Sequence, residues 1–302
     1  MHLDRALGRE PPPRRQGPGA NHLVRAERRA AEIVRGYARS LIGMLAEEFD
    51  RVEPGAPDQR RQVRAAVRRA RARMRRQWTA RDIAEILAAL IAEGRKAAGP
   101  AARASISQWR AQTRGDAARG QGPSPSEMRR RAEMPERESW TEADEIIARV
   151  RLTGTGYGRK ALTDLQARAA DWAADEAEIA NDAREMSVGF DRAISKILGR
   201  ADLIGSEEAN AASAEAIRAA LSRTTSGYYR WRSQEDNRVR DTQESSHVAA
   251  NREIYSWEEG SPHTNPPGLH PGEEINCRCW AEPVSASDLQ SAGIVSDDTT
   301  TG

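Results

Sequence analysis

Apolar positions recur every three to four residues through most of the chain, so the pattern predicts helix after helix. Ile33, Tyr37, Leu41, Leu45 and Phe49 form one stripe on a helix that begins near Leu23. Pro54-Gly55-Ala56-Pro57 ends it. A second helix starts near Asp58 and lines up Val63, Val67, Ala70, Met74 and Trp78. Thr79 and Asp82 have the spacing of a capping box. The helix behind them carries Ile83, Ile86, Leu87, Leu90 and Ile91, and Gly99-Pro100 is expected to stop it. A weaker helix holds Ile106 and Trp109, and residues 115–126 read as a linker. Trp140 to Asp144 opens another helix, which Gly154 to Gly158 breaks. Two more are expected, from Lys160 to Leu198 and from Ser206 to Ser222.

After Thr224 the texture changes. Tyr228, Tyr229, Trp231, Tyr255, Trp257 and Trp280 crowd together, and prolines replace the alanine-rich pattern. This stretch reads as a small irregular module with short strands. A core with so few aliphatics is expected to bury Trp231, Trp257 and Trp280, and Asp236 is expected to pair with Arg238 or Arg240 near Cys277. The fold class is therefore mainly α: an elongated Ala/Arg-rich helical N-terminal region with a small α+β C-terminal domain. The boundaries read as an arm over 1–20, a basic helical region over 21–131, a helical connector over 132–200, a C-terminal module over 201–284 and a disordered polar tail over 285–302.

Composition sharpens this picture. Leu, Ile, Val and Phe total only 44 of 302 residues, so long thin helices are favoured over one large core. No apolar run reaches the ~18–20 residues that cross a bilayer, and the N-terminus lacks a signal peptide's apolar stretch, so no membrane partner is expected. Two cysteines, two positions apart, make no disulfide framework.

The net charge of +2 hides a split. Residues 1–131 hold 29 basic and 14 acidic residues, and residues 132–302 hold 18 and 31. From Gln59 to Arg81 there are ten arginines and no acid. The face is either simply solvated or, because like charges repel at i,i+4, met by a counter-charge: the acidic half, an acidic partner, or phosphates. Sequence-independent binding to double-stranded DNA is the expectation, through Arg60, Arg61, Arg64, Arg68, Arg71 and Arg75.

Ligand-type residues concentrate between His247 and Cys279. A zinc site would draw on His247, His270, Cys277 and Cys279, although Cys277-Arg278-Cys279 lacks the CxxC spacing of a zinc ribbon. Ordinary packing of two small cysteines and structural histidines is the competing reading. A third is hydrolysis of nucleic acid using Asp241, His247, His270 and the cysteines.

Several of these residues stand in a fixed order: Trp231, then Asp236-Asn237-Arg238-Val239-Arg240, then His247, then Pro266-Pro267-Gly268-Leu269-His270-Pro271-Gly272, then Asn276-Cys277-Arg278-Cys279-Trp280-Ala281-Glu282-Pro283. The order resembles the C-terminal domain of the phage Mu F-like minor head proteins, the head morphogenesis domain, over about residues 200–284. The family's upstream Arg-Thr-Glu triplet is matched here only by Glu208 in Ser206-Glu207-Glu208. The resemblance implies a virion component acting in head assembly and DNA packaging, and the leading expectation is a non-enzymatic protein with no catalytic residues. It implies portal and other head proteins as partners, and a place in the head interior after assembly in the host cytoplasm. The alternatives are a metal-dependent nucleic-acid-processing enzyme and a zinc-stabilised interaction module. Zinc is the only cofactor expected.

Overall fold

The computed structural model describes residues 17, 19–118, 157–224, 227–236, 239–274 and 277–294. It is mainly helical with a small antiparallel sheet near the C-terminus, as the hydrophobic pattern predicts. Its elements are α1 (Ala20–Phe49), α2 (Gln59–Gln77), α3 (Ala80–Ala118), α4 (Tyr157–Ile179), α5 (Ala183–Thr224), β1 (Tyr228–Arg232), α6 (His247–Ala250), β2 (Ile254–Ser256), β3 (Trp280–Pro283) and α7 (Ala286–Ser291). The described residues fall into two compact units. One comprises residues 25–97 and 157–216, and the other comprises 17–24, 98–118 and 217–294.

In the helical unit, the expected stripe of α1 is the buried one: Tyr37, Leu41, Leu45 and Phe49 face inward, with Ile33 half-buried. Val63, Ala66, Ala70 and Met74 of α2 meet them, with Leu87 and Leu90 of α3, Leu162 and Leu165 of α4, and Ile197 and Ile204 of α5. Each fully buried Leu or Ile contributes about 1.5–3 kcal/mol. Small residues bring the helices close. A Cβ on Gly205 would lie 2.6 Å from the Ala30 oxygen, and one on Gly94 would lie 2.4 Å from the Ala209 oxygen. Ser213 Oγ donates to the carbonyls of both Gly94 and Ala209, at 2.8 Å each.

The expected capping box is present: Thr79 N–H donates to Asp82 Oδ2 at 2.7 Å, and Asp82 N–H to Thr79 Oγ1 at 3.4 Å. Two boundaries differ from expectation. Helix α3 continues past Gly99-Pro100. Proline removes one helical hydrogen bond and costs about 3 kcal/mol, but here Ala97, Ala98, Ala101, Ala102, Ile106 and Trp109 are buried on both sides of it. The second difference is a break between α4 and α5 at residues 180–182, followed by one helix where two were expected. Asp182 caps α5 by accepting from Glu185 N–H at 2.8 Å, and Glu185 accepts from Asn181 N–H at 2.8 Å. The orphan carbonyls of α4 are met from α2. Gln59 Nε2 donates to Ala177 and Ala180 at 2.6 and 2.8 Å.

The C-terminal module centres on β1, with sheet order β2-β1-β3 and both pairings antiparallel. Alternation along β1 turns Tyr229 and Trp231 into a core with Ala250, Cys277, Cys279 and Ala281. On the opposite face Arg230 pairs with Asp288 at 2.8 Å and Arg232 with Glu282 at 2.6 Å. Trp231 is fully buried, whereas Trp257 and Trp280 are only half-buried, because the sheet is too narrow to cover three indoles. Part of the expected disordered tail is instead α7, closed by a capping box between Ser285 and Asp288. The arm before residue 17, most of the linker, and the helix expected near Trp140 with its glycine break lie outside the described residues.

Two glycines give opposite expectations. Gly43 on α1 has open space around its missing Cβ, so Gly43→Ala should raise stability by about 0.5–1 kcal/mol. Gly205→Ala drives a methyl into the α1 backbone and should lower it by about 1–3 kcal/mol. Chemical denaturation of the two variants checks the pair, and equal effects would contradict the packing.

Candidate metal centre

His247 opens the short helix α6. Its backbone N–H donates to Arg240 O at 2.9 Å, closing the loop between them, and Ser246 caps the helix by accepting from Ala249 N–H. Cys277 and Cys279 lie just before β3. Their sulfurs and a His247 ring nitrogen lie within 4.8 Å of one another, and all three residues are buried. Cys279 Sγ is 3.6 Å from His247 Nδ1. A tetrahedral zinc with Zn–S near 2.3 Å and Zn–N near 2.0 Å sets its S and N ligands about 3.6 Å apart. The donor set therefore fits a thiophilic divalent metal: this His/Cys/Cys cluster could hold one.

The surroundings suit thiolates. Gly272 N–H donates to Cys277 Sγ at 3.2 Å. The indole N–H of Trp231, which has no other partner, faces Cys279, and the Trp231 ring stands edge-on to His247 with centroids 5.2 Å apart. Burial pushes the Cys277 thiol up, but hydrogen bonds from Cys279 and His247, the imidazolium charge and the Gly272 N–H outweigh it and hold the thiol well below its ordinary value. Burial likewise opposes a charge on His247, and Cys277 and Glu274 overcome it and raise the imidazole. Cys279 is pushed up, first by its hydrogen bond to Cys277 and then by burial.

Glu274 completes the centre. Its carboxylate contacts His247 Nε2 and Arg240 Nη1, and accepts from Ser245 Oγ at 3.0 and 3.1 Å. Neighbouring Glu273 accepts from His270 N–H at 2.8 Å and pairs with Arg218 at 3.6 Å. Sequence reading missed both acids. The available signal was that a ligating histidine needs a second partner for its other nitrogen, and an acid pair stands between His270 and Cys277.

Other expected site residues fall elsewhere. His270 lies outside the cluster. Its Nδ1 is 3.1 Å from the Tyr229 hydroxyl, and its ring packs against Tyr229 and Trp257. Among the described residues the cluster thus offers three candidate ligands, and His270 is not one of them. Asp241 is exposed and accepts from Ser246 Oγ at 2.7 Å, so it does not join His247. Asp236 pairs with Arg278 through both carboxylate oxygens, at 2.7 and 2.9 Å, and Arg240 pairs with Glu274. Arg238 and Asn276 lie outside the described residues, and Pro271 is buried. A surface groove of about 510 Å³ lined by Arg230, Arg252, Ile254 and Asp288 includes none of the three ligands.

The arginines of α2 sort into two groups. Arg69 pairs with Glu48, Arg71 with Asp171, and Arg73 with Glu47. Arg60, Arg61, Arg64, Arg68, Arg75 and Arg76 are exposed and make no ion pair among the described residues. Arg71, one of the expected phosphate-binding residues, is thus already paired with an acid of α4.

No family model, no curated protein and no solved structure matches this chain.

Burial, then the charge of Arg218, pushes His270 down to about 4. An unfolded histidine titrates near 6.5, so the unfolded chain takes up a proton that the folded one refuses. Stability should fall as pH drops from about 6.5 to 4, by about 3 kcal/mol at the lower limit. His270→Gln should remove that part of the slope. Denaturant midpoints at pH 6.5, 5.5 and 4.5 check it, and identical slopes in the two proteins would contradict it.

Proposed function

We propose that the chain is a minor head protein of a tailed phage or prophage, a non-enzymatic virion component bound to the portal and to packaged DNA during head assembly. One observation carries the reading. The residues that resemble the Mu F-like pattern form one interlocked set in the module: Trp231 against His247, Asp236 on Arg278, Arg240 on Glu274, and His247 beside Cys279. A pattern that serves the module's own architecture suits a structural domain. Burial of both sulfurs and of His247 argues for the same conclusion, because a nucleophile needs a substrate at its reactive atom. On this reading zinc is the ion, and its binding energy adds to the folding energy of a small domain.

The test is composition. Gradient-purified heads from the encoding phage or induced prophage should contain the chain in few copies, detected by mass spectrometry of intact particles. Its absence from heads, with the chain present in the lysate, would overturn the proposal.

The DNA contact is assigned to the unpaired row on α2: Arg60, Arg61, Arg64, Arg68 and Arg75. Each phosphate contact releases counterions, so five contacts give a slope of about −4.5 in log K against log salt. Affinity should then fall about 500-fold between 50 and 200 mM salt. The full chain is the right probe, because α4 and α5 supply half of the core against which α2 packs. Changing Arg61, Arg64, Arg68 and Arg75 to Gln should weaken binding to all duplexes alike and flatten the slope. Changing Arg71 should matter less. A salt-independent affinity would show that this row docks protein or faces solvent.

A further inference from the structure

We infer that Glu274 is the positioning residue of the metal centre: it fixes the tautomer of His247, so that the ion is held through Nδ1 and not through Nε2. The inference rests on the metal reading proposed above.

The geometry runs in one direction. The Glu274 carboxylate sits on Nε2, Cys279 Sγ lies 3.6 Å from Nδ1, and the two sulfurs and a ring nitrogen lie within 4.8 Å of one another. An ionised carboxylate can only accept, so it keeps a proton on Nε2. The lone pair of the neutral ring then lies on Nδ1, the nitrogen beside Cys279. Without a partner at Nε2 the ring would lose this bias. It could also turn about χ2, because edge-on packing against Trp231 restrains the ring plane but not which nitrogen leads.

Glu274 is itself held. Arg240 meets one carboxylate oxygen and Ser245 Oγ lies within reach of both. Arg240 also cancels the carboxylate's charge. The ion brings +2, the two thiols release their protons to solvent and contribute −2, and the imidazole stays neutral. The buried assembly is then electrically balanced, which matters where desolvated charge is costly. A monovalent soft cation in the same place would leave a buried net negative charge. Each sulfur further has its own N–H neighbour, Gly272 for Cys277 and Trp231 for Cys279. The three donors leave one tetrahedral position to a fourth ligand, and the task of Glu274 is to aim the imidazole.

The experiment uses the full-length protein with ¹⁵N-labelled histidine, loaded with zinc alone after measuring zinc content by elemental analysis. Long-range ¹H–¹⁵N correlation should show His247 with its proton on Nε2 and zinc on Nδ1. His270 should stay metal-free and neutral, serving as the internal reference. Glu274→Ala should lower zinc affinity by about 10–100-fold in chelator competition. Glu274→Gln, which keeps an acceptor oxygen, should recover part of that loss. Zinc bound through Nε2, or an unchanged affinity in Glu274→Ala, overturns this inference and leaves the metal reading standing. A wild-type chain that takes up no zinc overturns both. If Glu274→Ala fails to fold, the wild-type spectrum and the Gln variant decide the matter.

Discussion

Burying a carboxylate costs several kcal/mol unless its lone pairs are met, and the groups that meet Glu274 come from Arg240, Ser245 and His247, 27 to 34 positions upstream. This one requirement fixes how two irregular stretches of chain lie together. The loop ahead of α6 must bring its side chains to the segment ahead of β3, and the cysteines that follow Glu274 then fall beside His247. The Asp236–Arg278 pair, at 2.7 Å, joins the same two stretches a second time. With a three-stranded sheet and few aliphatics, the module has little hydrophobic area to specify its fold. Charged and hydrogen-bonded contacts supply the register instead.

The helical unit solves the same shortage differently. Its core is rich in alanine, which buries little area per residue, so close approach must compensate. Glycine and alanine on α5 let its backbone ride against α1 and α3. Where backbone groups would be stranded by a chain break, Gln59 reaches from another helix to meet them.

Much of this was legible in the sequence. The α1 stripe, the Thr79–Asp82 box and the strand-bearing C-terminal module follow from periodicity and capping chemistry, which are local. What was not legible depends on partners distant in sequence. Pro100 is a stop signal by itself, and only the burial of Ala101, Ile106 and Trp109 overrides it. Residues 180–182 carry no glycine or proline, and the break there needs Gln59 to be favourable. His270, as good a ligand as His247 by type, is claimed by Tyr229. Glu274 looked like one acid of a polar loop until its three partners were in place.

Pairing of Arg69, Arg71 and Arg73 with acids of α1 and α4 has an electrostatic consequence. It cancels charge along the flanks of α2 and leaves the crest, so the helix presents a narrow ridge of positive potential, not a diffuse cloud. From Arg61 to Arg75 that ridge runs about 21 Å at the helical rise of about 1.5 Å per residue. At physiological ionic strength the screening length is only about 8 Å. A small counter-ion resting anywhere on the ridge therefore senses two or three guanidinium groups at most. Only an extended polyanion laid parallel to the helix axis can engage the whole row, so the ridge selects the direction of approach as well as the sign of charge.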